Sequence, residues 1–157
     1  MSSTPVAAAQ RRAALQRAIA LTADAFASET EQFGKQASTL FTAAQGNRGR
    51  SQIQQLLTIA NNAQSVSEVL DFIKRQVGKD HESTWRPHFG PSLIEALDKG
   101  LRSRVRQLDP KPSGPFEEQQ AHLALIRRFI GQLYANYEFY RAEPKKAGSD
   151  RNSGARR

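Results

Sequence analysis

Apolar residues recur along this chain at the three- and four-residue steps of a helix, and nowhere alternate as in a half-buried strand, so the pattern predicts an all-α protein. Thr4-Pro5 offers a capping hydroxyl followed by a proline at the first helical position, where its missing N–H costs nothing. Leu15, Ile19, Thr22, Phe26, Phe33, Ala37, Leu40 and Ala44 then hold one phase, which predicts a long N-terminal helix within residues 1–45. Ser28 and Glu31 have capping-box spacing and Gly34 weakens the middle, so a break within residues 28–34 is the alternative. The run Gly46-Asn47-Arg48-Gly49-Arg50 reads as a helix stop.

Beyond that stop, residues 46–142 predict a helical bundle core. Ser51 caps a helix striped by Ile53, Leu56, Leu57 and Ala60. Ser65 and Glu68 box the next, whose face of Val66, Val69, Leu70, Ile73 and Val77 runs to Gly78. Lys79 to Gly90 has no period, and its Trp85 and Pro87 suit an ordered loop docked on the core. Pro91 opens a fourth helix with Leu93, Ile94, Leu97, Leu101, Val105 and Leu108 inward. Three prolines and a glycine between Asp109 and Pro115 force a loop. The last helix, from about Phe116 to Ala142, carries the strongest face: Ile126, Phe129, Ile130, Leu133, Tyr137 and Tyr140. Residues 143–157 lose their apolar positions and read as a basic disordered tail. The expectation is a single-domain, all-α bundle of about five helices, and 157 residues suffice for one hydrophobic core.

Charge adds a partner to this picture. Lysine and arginine outnumber the acids 23 to 15, a net charge of +8 with a pI near 10.3, and such a surface attracts polyanions. Nucleic acid is favoured over a membrane, because no stretch is apolar enough to span a bilayer. The lack of cysteine excludes disulfides and thiol chemistry and allows a reducing compartment, with the cytoplasm expected. The first 23 residues share the Ala- and Arg-rich, acid-free make-up of a transit peptide, but the apolar phase continues past any cleavage point.

Catalytic signatures do not emerge. There is no phosphate-cradling glycine loop, nucleophile elbow or His-Glu-x-x-His, so no enzyme, metal or cofactor is expected. His81, Glu82 and His88 match no common metal spacing, and Glu117 and Glu118 suit the first turn of a helix as dipole partners. The cations are more informative: Arg75 and Lys79 on the third helix, Lys99, Arg102 and Arg106 on the fourth, and Arg128 on the last all fall opposite the apolar stripes, while Arg127 flanks the core. Cations one helical turn apart, about 5.4 Å, suit a phosphodiester track. Tyr134, Tyr137, Phe139 and Tyr140 could stack on bases, although their spacing fits a core face better.

Three segments together resemble the small helical subunit of type III-A CRISPR effector complexes, the Csm small subunit. Ser51-Gln52-Ile53-Gln54-Gln55-Leu56-Leu57 is similar to that family's Ser-Gln-Ile/Leu-Arg helix start. Gln76-Val77-Gly78-Lys79-Asp80 is similar to its Tyr-Gln-Ala-Gly-Arg-Glu segment, and Arg128-Phe129 with Leu133, Tyr137 and Phe139-Tyr140 resembles its closing helix. Gln54 stands where the family usually has a basic residue and Arg75 where it has tyrosine. The resemblance implies a non-catalytic subunit, self-associating beside other effector subunits in antiviral defence, that holds the guide RNA and target RNA by their backbone without reading sequence. It assigns RNA contacts to Arg48, Arg50, Gln52, Gln54 and Lys79, to which the charge pattern adds Arg75, Arg102, Arg106 and Arg128. Two other readings stay open: a basic adaptor for an acidic protein, and a DNA-binding helix-turn-helix over Ser51 to Val77, disfavoured by Asp71 on its recognition helix.

Overall fold

The Thr4 hydroxyl accepts the Ala7 N–H at 3.2 Å and Pro5 follows, so the chain enters its first helix, α1 (Pro5–Ala25), through the expected cap. The structure is a computed structural model that describes residues 4–41, 47–80 and 84–142, with Asn47 and Arg48 described by backbone alone. His81, Glu82 and the tail expected after Pro144 lie outside the described residues.

The long N-terminal helix is interrupted at Phe26 (φ −101°, ψ 18°), earlier than the expected break, and α2 (Ala27–Leu40) follows. A straight rod over both would measure roughly 54 Å, whereas the longest helix, α7 (Pro115–Ala142, 28 residues), measures about 42 Å. The break lets both halves pack along α7. Phe26 is buried at the corner with its ring 5.2 Å from that of Phe129, and Ser28 to Glu31 lie inside α2 without capping it. Gly34, expected to weaken the helix, lies inside an unbroken α2 and serves its pairing with α7: a Cβ there would collide with Asn136 and crowd the Leu133 carbonyl.

The expected stop at Gly46 to Arg50 is mostly helix, because α3 (Asn47–Asn62) begins four residues before Ser51. Gly49 lies so close to the Phe41 backbone that any side chain would overlap it, and this contact seats the first turn against the end of α2. In α4 (Val66–Lys79) the Ser65 hydroxyl accepts the Glu68 N–H at 3.3 Å and Glu68 in turn accepts the Gln64 N–H at 3.4 Å, so this end is capped as its sequence predicts. Beyond α4 the Asp80 carboxylate accepts the N–H groups of Thr84 (3.0 Å) and Arg86 (2.8 Å). Trp85 is only 1% exposed and meets the rings of Phe41, Phe72 and Phe89.

The fourth predicted helix is one rod in three parts: α5 (Phe89–Glu95), a π-helical turn (Ala96–Gly100) and α6 (Leu101–Arg106). Its buried residues Phe89, Leu93, Leu97, Leu101 and Val105 step strictly by four, which on a regular helix overshoots by about 40° each time. The wider π turn takes up that drift. With α1 and α2 separate, the described residues form six rods rather than five, all helical. One apolar cluster joins them, and α7 packs against α1, α2, α3, α4 and α6.

Candidate nucleic-acid interface

The residues predicted to touch nucleic acid, Arg128 excepted, fall into two groups at opposite ends of α4, about 20 Å apart along its 14 residues. At its C-terminal end lie the start of α3 and the end of α7. The Arg48 side chain is outside the described residues. Arg50 turns toward α7, its Nε 3.6 Å from Glu138 Oε1. Gln52 accepts the indole N–H of Trp85 at 2.8 Å, so its carbonyl oxygen is occupied in holding the loop to α3. Gln54 is exposed on the outer face of α3. Arg75 and Lys79 are exposed one turn apart, on the flank of α4 that also carries Phe72, and neither is paired with a carboxylate among the described residues. Through Phe72, Trp85 and Gln52 this flank is tied to the start of α3. Gln52 with Trp85, and Arg50 with Glu138, thus tie the start of α3 to the segment after α4 and to the end of α7.

The second group lines a cleft of about 340 Å³ between the start of α4 and α6, with Ser65, Ser67, Asp98, Arg102, Arg106 and His122 on its walls. Asp98 accepts from Arg102 at 2.5 Å, leaving Arg106 as the exposed cation without a partner among the described residues. His122 is 7% exposed, and its Nε2–H donates to the Leu97 carbonyl at 2.8 Å. That carbonyl is available because the Leu101 N–H skips it, bonding Ala96 and Asp98 instead, so the π turn and the buried imidazole form one device. Burial holds the His122 pKa below its usual value and the nearby Arg102 adds to this, against the opposing effects of the Leu97 bond and Asp98.

Arg128 stands apart from both groups, exposed on the outer face of α7. Its neighbour Arg127 points inward, donating to the carbonyls of Ala60 (3.1 Å) and Ala63 (2.7 Å) at the end of α3. Among the aromatics of α7, Tyr137 is fully buried, Tyr140 donates its hydroxyl to Glu31 at 2.6 Å, and Phe139 is 61% exposed. The Glu31 carboxyl is lowered by that hydroxyl first and by Lys35 second. Glu117 closes the opposite end of α7: Arg11 donates to both of its oxygens (2.6 and 3.1 Å) and the Ser113 N–H to one (3.1 Å). These bonds, that from Arg11 foremost, keep its carboxyl below the ordinary carboxylate range.

One polar cluster was not anticipated from the sequence. Arg50, Tyr137, Glu138 and Arg141 converge where α3 begins and α7 ends, and the Arg141 guanidinium donates to Glu138 Oε2 at 3.2 Å. The signal available in sequence was only the Glu138 and Arg141 pair at i,i+3, which any solvated helix face carries. Among the described residues no three His, Asp or Glu side chains gather as metal ligands, and no helix is long and apolar enough to cross a membrane. No protein-family model, curated protein or solved structure matches the chain, so its relatives are not given by comparison.

Proposed function

We propose that this chain is a non-catalytic protein that holds a nucleic-acid backbone, with RNA as its substrate, at the end of the bundle where α3 starts, α4 ends and α7 ends. The observation that carries this reading is the pair Arg75 and Lys79: two open cations one turn apart, neither in an ion pair with a described carboxylate. Exposed cations that lack internal partners can exchange small counterions for phosphates, which drives binding without reading bases.

The more specific form is an RNA-binding small subunit of a type III-A CRISPR effector. It rests on the resemblance of Ser51–Leu57, Gln76–Asp80 and Arg128–Tyr140. Guide and target RNA would then be the ligands, with neighbouring effector subunits and further copies of the chain as protein partners. Arg106 and Arg128 remain secondary contacts in this reading, since each lies apart from the main group.

The test is equilibrium binding of labelled RNAs of unrelated sequence, measured beside a short acidic peptide. Comparable affinities for the RNAs and none for the peptide are expected. Selection of one duplex DNA sequence would favour the helix-turn-helix reading, and peptide binding alone would favour the adaptor.

A further inference from the structure

Among the described residues, four buried side-chain polar atoms have no hydrogen-bond partner, and all four belong to one cluster: Arg50 Nε, Tyr137 Oη, Glu138 Oε1 and Arg141 Nε. Buried polar groups are nearly always satisfied, so four unmatched atoms in one place point to a partner from outside the chain. Its chemistry can be read from the imbalance. Two guanidinium N–H groups and one phenol O–H need acceptors, whereas one carboxylate oxygen offers itself, at 3.6 Å from Arg50 Nε and too far for a hydrogen bond. Two arginines and one glutamate also leave the cluster with one uncompensated positive charge.

The phenol is the most telling member. Tyr137 is 0% exposed, so its hydroxyl cannot turn to bulk water, and burial pushes its pKa up with Arg141, Glu138 and Arg50 as its charged neighbours. A buried tyrosine hydroxyl normally finds a partner. The arginines are less enclosed, with side chains 43% and 30% exposed, so the cluster is open on its outer side.

We infer that this cluster binds a single phosphodiester when the partly exposed Glu138 side chain swings outward: the phosphate oxygens then take its place and accept from Arg50, Arg141 and Tyr137, whereas in the free protein Glu138 covers these donors. One negative charge matches the single uncompensated positive one, and tetrahedrally arranged acceptor oxygens supply what the three donors lack. This deepens the proposed function, on which the nature of the ligand rests: it places one particular phosphate of the bound strand at the base of α3.

Two conservative variants and one small probe test it in the full-length protein. Tyr137→Phe removes a hydroxyl that has no partner in the free protein, so its thermal midpoint should not fall, yet its RNA affinity should drop about tenfold, as for one hydrogen bond to a charged acceptor. Glu138→Gln removes the competing carboxylate and should bind RNA several-fold more tightly. In parallel, dimethyl phosphate should shift the Nε–H resonances of Arg50 and Arg141. Unchanged RNA affinity in both variants with unmoved resonances would overturn the site, leaving an ordered water as the occupant, while loss of binding on Arg75→Ala or Lys79→Ala would still uphold the function. If the wild-type protein binds no RNA but dimethyl phosphate moves both resonances, the phosphate site stands and the RNA reading falls.

Discussion

The two ends of α7 treat their polar groups in opposite ways. In the N-terminal half no buried side-chain polar atom among the described residues lacks a partner: Glu117 is held by Arg11 and Ser113, His122 by the Leu97 carbonyl freed in the π turn, and Arg127 by carbonyls at the end of α3. At the C-terminal end Arg50, Tyr137, Glu138 and Arg141 crowd together with four buried atoms unmatched. The first end uses charge to fasten helices to one another. The second leaves bonding capacity unused in the free protein, and the proposed function assigns that end to the polyanion.

The contrast predicts opposite responses to truncation. The largest stability loss should come from Arg127→Ala, which strands two carbonyls at the end of α3 and should cost about 2–3 kcal/mol by chemical denaturation, the scale of hydrogen bonds to a charged donor. Acid should act next, through His122. Its pKa is depressed in the folded state, so the stability it contributes is fully present above the unfolded value of about 6.5 and is lost as pH falls below it, while the unfolded chain takes up the proton first. Denaturation midpoints should therefore decline between pH 7 and pH 5, and His122→Gln should flatten that decline. Glu117→Gln should have a smaller effect, since the Arg11 pair is solvent-screened. Smallest of all, Tyr137→Phe should leave stability within about 0.5 kcal/mol of the wild type, because no native bond is broken. A large loss there would mean that the C-terminal end is as tightly matched as the other.

Helix identity was legible in the sequence because each apolar stripe repeats locally, and the Ser65 box and Thr4 cap act over three or four residues. What escaped depends on partners far away in the chain. The break at Phe26 answers to Phe129, the value of Gly34 to Asn136, and the helical state of Asn47 to Arg50 to the Phe41 backbone beside Gly49. The strict four-residue spacing from Phe89 to Val105 did hold a trace of the π turn, as a stripe that a regular helix cannot keep in register. Candidate site residues divide in the same manner. Exposure of Arg75, Lys79, Arg106 and Arg128 followed from helical phase, whereas the internal ties of Arg50 to Glu138 and Gln52 to Trp85 span 88 and 33 positions and left no local mark.

The central claim, backbone binding through open cations at one end of the bundle, meets its most direct test in the salt dependence of RNA affinity. For the wild-type protein log K should fall linearly with log salt, and Arg75→Ala and Lys79→Ala should each reduce the slope by about one, whatever the RNA sequence. Binding that is insensitive to salt, or a slope unchanged in both variants, would contradict it.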